Sequence, residues 1–572
     1  MYSTGAKFLV SLLVLVGDVQ GFQESFLSLN KSLEGRLHAA VPFASPCFSN
    51  CNGEPVLQDV ALCATIQQNY TSSTFRTQFY SGFMNSQGEE CASNAADQCI
   101  LDFSDPFDSL AFANKSCNQG VISPYYIEIQ EPGDVVQAFR FSRSTGIKIS
   151  IKNSGHDYLQ RSSQKSSLAL WTRNLQLLAF DMEFHADGCN PGSTTHHAIT
   201  TGAGINFDEA YRYADENNVT FVGGYATTVG VSGGFVQAGG HSILSPVYGL
   251  GVDRVIQYRV VTPDGVYRTA NACQNQDLFW ALRGGGGGTF GVVMESTHIV
   301  EPQLQLVVAS VNFPQTSSNI LPFLKLLVQN AALWGSQGWG GHIRPSNVIY
   351  VNPLLKLTDA QKSFESISDY ALAQNGTSTI EMLPSWYAFY QKYLISNQAP
   401  TGEGLVLSSR LIPTVLFETS SGRDRIMAYM AQMLDVGLSP YIPVTTPFLY
   451  SYISNSTSAT PAWRNTLWHL ATSQTWAWNS TVEERRAVAA LVSNMTMLAE
   501  DLAPNSGVYM NECNPWTTDW QEANWGINYP PLLSIKQKYD PDGLLQCWHC
   551  VGSDNVISEE GNFGCVRDLS PG

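Results

Sequence analysis

"SIKNSGHDYLQRSS", residues 150 to 163, decides how the rest of the chain reads. Lys148-Ile149-Ser150-Ile151-Lys152 has the texture of a strand, and Asn153-Ser154-Gly155 stops it with three small residues. His156 follows at once, then Asp157-Tyr158. A metal centre gathers several ligands, and this imidazole arrives without others near it in sequence. No metal is assigned to it. A small-residue loop offers backbone N–H groups that can hold an anion without any basic side chain, which leaves the histidine for another use.

Two further glycine-rich stretches fit that idea. The first is "FVGGYATTVGVSGGFVQAGGHSILSPVYGLGVDRVIQYRVVTPDG", residues 221 to 265, closing as a strand and turn. The second is "DLFWALRGGGGGTFGVV", residues 277 to 293, read as a short helix, five glycines and a strand. Neither a G-x-G-x-x-G in a dinucleotide-binding setting nor a G-x-x-x-x-G-K-[ST] occurs, so nicotinamide and Walker-type nucleotide sites are disfavoured. Loops of this kind suit a large anionic cofactor lying against exposed backbone.

The chain has 572 residues, 44% of them apolar and 14% charged, enough for a large core and more than one domain. A formal charge of -17 argues against a nucleic-acid partner, which needs clustered Lys and Arg. Lys7 precedes the apolar run Phe8 to Val16, and Val19-Gln20-Gly21 supplies small residues for cleavage. The run is too short to span a membrane, so residues 1–21 read as a secretory signal peptide. Eight Asn-x-Ser/Thr sites, at Asn30, Asn69, Asn114, Asn218, Asn375, Asn455, Asn479 and Asn494, agree with export and glycosylation. Twelve cysteines, six of them between Cys47 and Cys117, read as disulfides of unassigned connectivity, with "CWHC" at 547–550 a structural pair. Cys513 is left open between a free thiol and a disulfide.

Texture divides the remainder. Residues 22–117 form a Ser-, Asn- and Cys-rich extension. Residues 118–302 alternate helix and strand, with "PGDVVQAFRFSRSTG" (132–146) helical up to Gly146. Residues 303–500 are poorer in glycine and richer in aromatics, with helical patterns such as "SSNILPFLKLLVQNAALW". Residues 501–555 return to short aromatic and turn motifs, and 556–572 form a tail.

The motifs "KNSGHDYLQRSS", "SLALWTRNL", "TTVGVSGG…GGHS…YGLGVDRVIQYRVVTPDG", "DLFWALRGGGGGTFGVV" and "NWGINYPPLLSIKQKYDPDGLL" occur in one order. Together they resemble the FAD-linked oxidoreductases of the vanillyl-alcohol oxidase type (PCMH-type FAD-binding domain), berberine-bridge-enzyme-like branch. The resemblance implies an α+β fold: a two-subdomain PCMH-type FAD-binding domain and a separate α/β substrate domain with an antiparallel sheet. It implies FAD joined covalently through His156. Asn153, Ser154, Gly155, Asp157, Thr228, Val229, Gly230, Gly234, Val293 and Asn528 are then placed around the cofactor. Many members carry a second flavin bond through a cysteine, but "GYATTVG" has Ala226 there, so one bond remains. Val229 falls where a valine in similar enzymes leaves room for O2. Where relatives carry "Tyr-x-Asn-Tyr", this chain reads "YMNE", which makes Glu512 the candidate base, with Tyr509 and Tyr529 beside it.

An apolar pocket is expected to raise the Glu512 pKa toward neutrality, which suits acid–base work. The function expected is a secreted or secretory-pathway FAD oxidase taking hydride from an alcohol-type or related secondary-metabolite small molecule and giving electrons to O2 as H2O2. The alternative is a non-redox isomerase or cyclase with Glu512 as general acid. The glycines and backbone amides, rather than metals, are expected to do the binding.

Overall fold

The computed structural model describes residues 19–553 and 563–571, with side chains from Glu24 onward. The apolar run Phe8 to Val16, read as a leader, lies outside the described residues, as do residues 554–562 of the tail. No helix among the described residues is long and apolar enough to cross a membrane.

The strand Ile149–Lys152 lies at one edge of a four-stranded sheet, paired parallel to Leu168–Trp171. That strand is parallel to Tyr125–Glu128 in turn, and Leu37–Ala39 adds an antiparallel edge. Parallel strands need a crossover connection, and the helix Pro132–Thr145 supplies it from Tyr125–Glu128 to Ile149–Lys152, on the far side of Leu168–Trp171. Its start is written locally, with Pro132 in the first turn and a capping box between Glu131 and Asp134. Gly146, at φ 77°, ends it in the left-handed region as read. The face bearing Val135, Ala138 and Phe139 packs on Ile127, Ile149 and Leu168.

A second sheet is antiparallel throughout, in the order Tyr267–Asn271, Val255–Val261, Val292–Ile299, His196–Gly202, Leu178–Phe184. The turn of "VVTPDG" joins the first two strands, with Gly265 at φ +82°. The third sheet belongs to the aromatic-rich part and is also antiparallel, in the order Thr377–Leu383, Leu306–Asn312, Asn347–Asn352, Gly340–Arg344, Ile442–Val444. The long pair Gly404–Pro413 and Thr466–Trp476 continues it through the bridge Tyr441↔Ala471. The helix Ile320–Ser336 buries Phe323, Leu327 and Trp334 against this layer, the helical stripe expected from its sequence. The fold is therefore the α+β arrangement implied by the motifs.

The disulfides settle what spacing left open. Cys47–Cys63 and Cys99–Cys117 tie the N-terminal extension internally, and Cys91–Cys565 ties it to the tail. Cys189–Cys273 staples the second sheet, and Cys547–Cys550 closes "CWHC" as a structural pair. Cys51 and the buried Cys513 are unpaired thiols.

The extension is also held by a charge. Lys152, fully buried at the end of its strand, donates through Nζ to the carbonyls of Phe79 (3.0 Å), Tyr80 (2.6 Å) and Gly82 (2.9 Å). Burial pulls its pKa down to about 7. Gly155, at φ +90°, lets the chain turn just beyond it; a Cβ there would stand 2.9 Å from Lys152 Cε and 3.0 Å from the Gly82 carbonyl. Met84 N–H donates to the Gly155 carbonyl at 3.0 Å, closing the contact. Replacing the ammonium leaves three buried carbonyls unpaired, at about 1–3 kcal/mol each. Lys152→Met should therefore lower the thermal unfolding temperature by several degrees and loosen the extension to limited proteolysis. An unchanged unfolding temperature would remove Lys152 from this role.

Candidate active site

A cleft of about 250 Å³ opens between the first two sheets and the C-terminal segment. Its walls include Asn153 to Asp157, Val229 and Gly230, Ser232 to Phe235, Gly287, Gly288, Val293, Tyr509, Asn511 and Glu512. The extension contributes Met84 and Asn85, and the aromatic-rich part contributes Gln398 to Thr401. Sequence texture alone had set both of these apart from the cofactor loop.

The loop after Lys152 is shaped from below. Asn153 Nδ2 donates to the Ala203 carbonyl and, at 3.2 Å, to Thr172 Oγ1. Its side-chain oxygen occupies the space that a Cβ on Gly230 would need. Asp157 spends its carboxylate on the loop itself, accepting from Leu159 N–H at 3.0 Å, Ser162 N–H at 2.6 Å and Ser162 Oγ at 2.7 Å. The backbone N–H groups of Ser154, Gly155, His156 and Asp157 have no acceptor among the described residues. Four consecutive free donors in a cleft wall form an anion-binding concavity. Elsewhere in the cleft wall, a Cβ on Gly287 would press on Gly234 Cα at 3.0 Å, while Gly288 has open space. Gln237 Oε1 and Arg161 Nη2, both from cleft-lining residues, are buried without partners. This set fits FAD: backbone donors for a pyrophosphate and glycine-lined space for close approach.

His156 Nε2 makes a 2.8 Å hydrogen bond with Thr228 Oγ1, so Thr228, buried just behind the wall, fixes the ring. Burial lowers the His156 pKa to about 4, which keeps the imidazole neutral with Nδ1 as its second ring atom.

Glu512 sits on a turn, its N–H donating to the Tyr509 carbonyl at 2.9 Å. Its carboxylate lies 3.5 Å from His241 Nε2 and 3.8 Å from His469 Nδ1. The expected upward pKa shift is not what the surroundings give. Burial does push the carboxyl up, but the close approach of His241 Nε2 outweighs it, His469 adding less, and holds Glu512 below the usual carboxylate range. Of the imidazoles, His469 is itself held neutral, pulled down to about 3 by burial. The pocket beside Glu512 is polar where its composition had read as apolar.

Tyr509 lines the cleft next to Glu512, and its hydroxyl accepts from Asn511 Nδ2 at 2.8 Å. Burial drives its pKa far upward, against a role as base. Asn528 and Tyr529 lie outside the cleft wall. Asn528 Nδ2 instead braces the Ser458 and Ala459 carbonyls, and Tyr529 packs between Trp520 and Trp525. Sequence reasoning missed His241, His469 and Arg161. Gly239-Gly240-His241 repeats the glycine-then-histidine step of Gly155-His156 and was the available signal. His469 lies within a strand and offers none. Arg161 donates to the Trp548 and Met510 carbonyls, joining the cofactor loop to the Glu512 turn.

Residues 123–271 match the family model described as "FAD binding domain", and residues 508–549 match "Berberine and berberine like". The chain is 43% identical to the FAD-linked oxidoreductase ffsJ of Aspergillus flavipes, over 94% of this chain and 93% of that one. It belongs to the vanillyl-alcohol-oxidase-type, berberine-bridge-enzyme-like FAD-linked oxidoreductases. Among solved structures, the VAO-type flavoprotein MtVAO615 of Myceliophthora thermophila is similar with a TM-score of 0.79 and 27% identity, over 93% of this chain and 95% of that one. The glucooligosaccharide oxidase of Acremonium strictum, described with a 6-S-cysteinyl, 8α-N1-histidyl FAD, shares the fold with a TM-score of 0.63 and 21% identity, over 76% of this chain and 92% of that one. The cofactor of this FAD-linked oxidoreductase is therefore FAD, and its substrate a small molecule. Gly230→Ala should push Asn153 and the loop out of place, lowering the flavin-to-protein absorbance ratio of the purified enzyme. A full flavin complement in that variant would contradict the loop's role.

Proposed function

We propose that this FAD-linked oxidoreductase is a secreted oxidase that removes hydride from a carbon bearing a hydroxyl group and returns the electrons to O2 as H2O2. Bound FAD supplies the hydride acceptor and the centre that O2 reoxidises. The observation that carries the reading is Glu512, a carboxylate at the cleft wall with His241 Nε2 3.5 Å from it, a neighbour that favours its ionised form. An ionised carboxylate takes a proton from a substrate hydroxyl as hydride leaves the adjoining carbon. The same ionisation counts against the isomerase alternative, which needs Glu512 to begin as an acid.

His156 is proposed as the single covalent tether. Its neutral ring, fixed through Nε2 by Thr228, leaves Nδ1 as the nucleophilic atom. Ala226 lines the cleft where a cysteinyl bond is made in many relatives, and a methyl group cannot form one. Val229 also faces the cleft, and its small side chain supports access for O2. Tyr158, Tyr225, Phe235 and Tyr509 line the remaining space and favour a substrate with an apolar or ring-shaped body. Secretion is supported by five disulfides among the described residues. The asparagines of all eight glycosylation sequons are at least partly exposed.

The test is a screen of alcohols, sugars and polycyclic alcohols for anaerobic flavin bleaching, followed by Glu512→Gln on the active substrate. The variant should keep its flavin spectrum and lose about 10² to 10⁴-fold in the rate of flavin reduction. The wild type should release peroxide one-for-one with product in air. Near-normal reduction by Glu512→Gln would place the base elsewhere, and product formed anaerobically without bleaching would overturn the oxidase.

A further inference from the structure

His241, His469 and Glu512 each offer one ligand atom, and those three atoms lie within 4.8 Å of one another. Two imidazoles and a carboxylate are the donor set of zinc and its first-row neighbours, whereas calcium and magnesium take oxygen ligands. The histidines also lack other partners. His469 is completely buried on the strand Thr466–Trp476, paired opposite Leu411, and neither ring nitrogen makes a hydrogen bond. His241 is 7% exposed and turns Nε2 toward Glu512 at 3.5 Å, leaving Nδ1 as its buried outer nitrogen. Buried polar atoms nearly always have a partner. One ion between the three side chains would engage both imidazoles and the carboxylate together. Cys513, next in sequence, is not part of the set, because its thiol is turned toward the Met510 carbonyl at 3.6 Å.

We propose that His241, His469 and Glu512 bind a zinc-class divalent cation that reversibly silences the enzyme by occupying the carboxylate that takes the substrate proton. Metal–ligand bonds of about 2.1 Å at tetrahedral angles require ligand separations of about 3.4 Å, against a present spacing of up to 4.8 Å. His469 is fixed by its strand. Contraction therefore falls to Glu512, whose side chain is 24% exposed, and to His241, which follows Gly239 and Gly240 at φ +129° and +73°. Glu512 and His241 line the cleft, so the ion enters from the substrate side and keeps an open position there. The outer ring nitrogens have none of the hydrogen-bonded carboxylates or carbonyls that orient tight sites. Such partners are worth about 10- to 100-fold in affinity, so binding belongs in an exchangeable range.

The inference goes beyond the oxidase reading and can fail separately from it. Flavin-loaded full-length enzyme, stripped with a chelator, is dialysed against Zn²⁺ and its metal content measured with flavin content as a control for folding. The wild type should bind one equivalent, and His469→Ala and Glu512→Gln should each weaken binding by at least about 100-fold, since loss of a direct ligand exceeds loss of an outer partner. Zinc should also slow flavin reduction in the wild type, and chelator should restore it. If His469→Ala loses its flavin, Glu512→Gln decides alone. No bound zinc, or equal affinity in wild type and a flavin-loaded variant, overturns the site. Loss of metal-free activity in Glu512→Gln bears on the base and is read without zinc.

Discussion

The Lys152 ammonium is the contact on which the cofactor side of this enzyme depends. It ends a parallel strand, enters a buried space, and finds three carbonyls from the N-terminal extension. A buried cation needs such acceptors, since its desolvation is otherwise uncompensated. Three residues after Lys152, Gly155 turns the chain at a φ closed to most side chains. The turn in turn presents four unpaired N–H groups and His156 to the cleft. A region read as a disulfide-bound appendage is thus part of the cofactor wall.

At Glu512 the chemistry depends on charge balance. Burial pushes the Glu512 carboxyl up, and the neighbouring His241 reverses the direction of the shift. The two effects belong to residues far apart in the chain, which is why composition pointed to the wrong sign. His156, held neutral by burial, and Glu512 both line the one cleft.

Features fixed by short-range rules were legible. Pro132, the Glu131–Asp134 box and Gly146 mark a helix by local hydrogen bonding and backbone freedom, and the structure has it at Pro132–Thr145. The glycine tracts marked the cleft wall for the same reason, because close backbone approach needs residues without side chains. Features set by tertiary meeting points were not legible. Asn528 and Tyr529 sit near Glu512 in sequence, yet the helix that begins at Tyr529 turns them toward Ala459 and the tryptophans. His469 gave no signal because a strand interior hides which face a histidine joins. The long Cys91–Cys565 pairing likewise exists only once both ends have folded together.

The claim that the loop after Lys152 carries the flavin can be tested without knowing the substrate. Lys152 and Arg161 bracket residues 153–161, so trypsin releases that loop as one peptide containing a single histidine, His156. Acid-precipitated, reduced and digested enzyme should show flavin absorbance on this peptide alone, with the flavin mass located on His156. Flavin released by acid, or carried by a different peptide, would contradict the account.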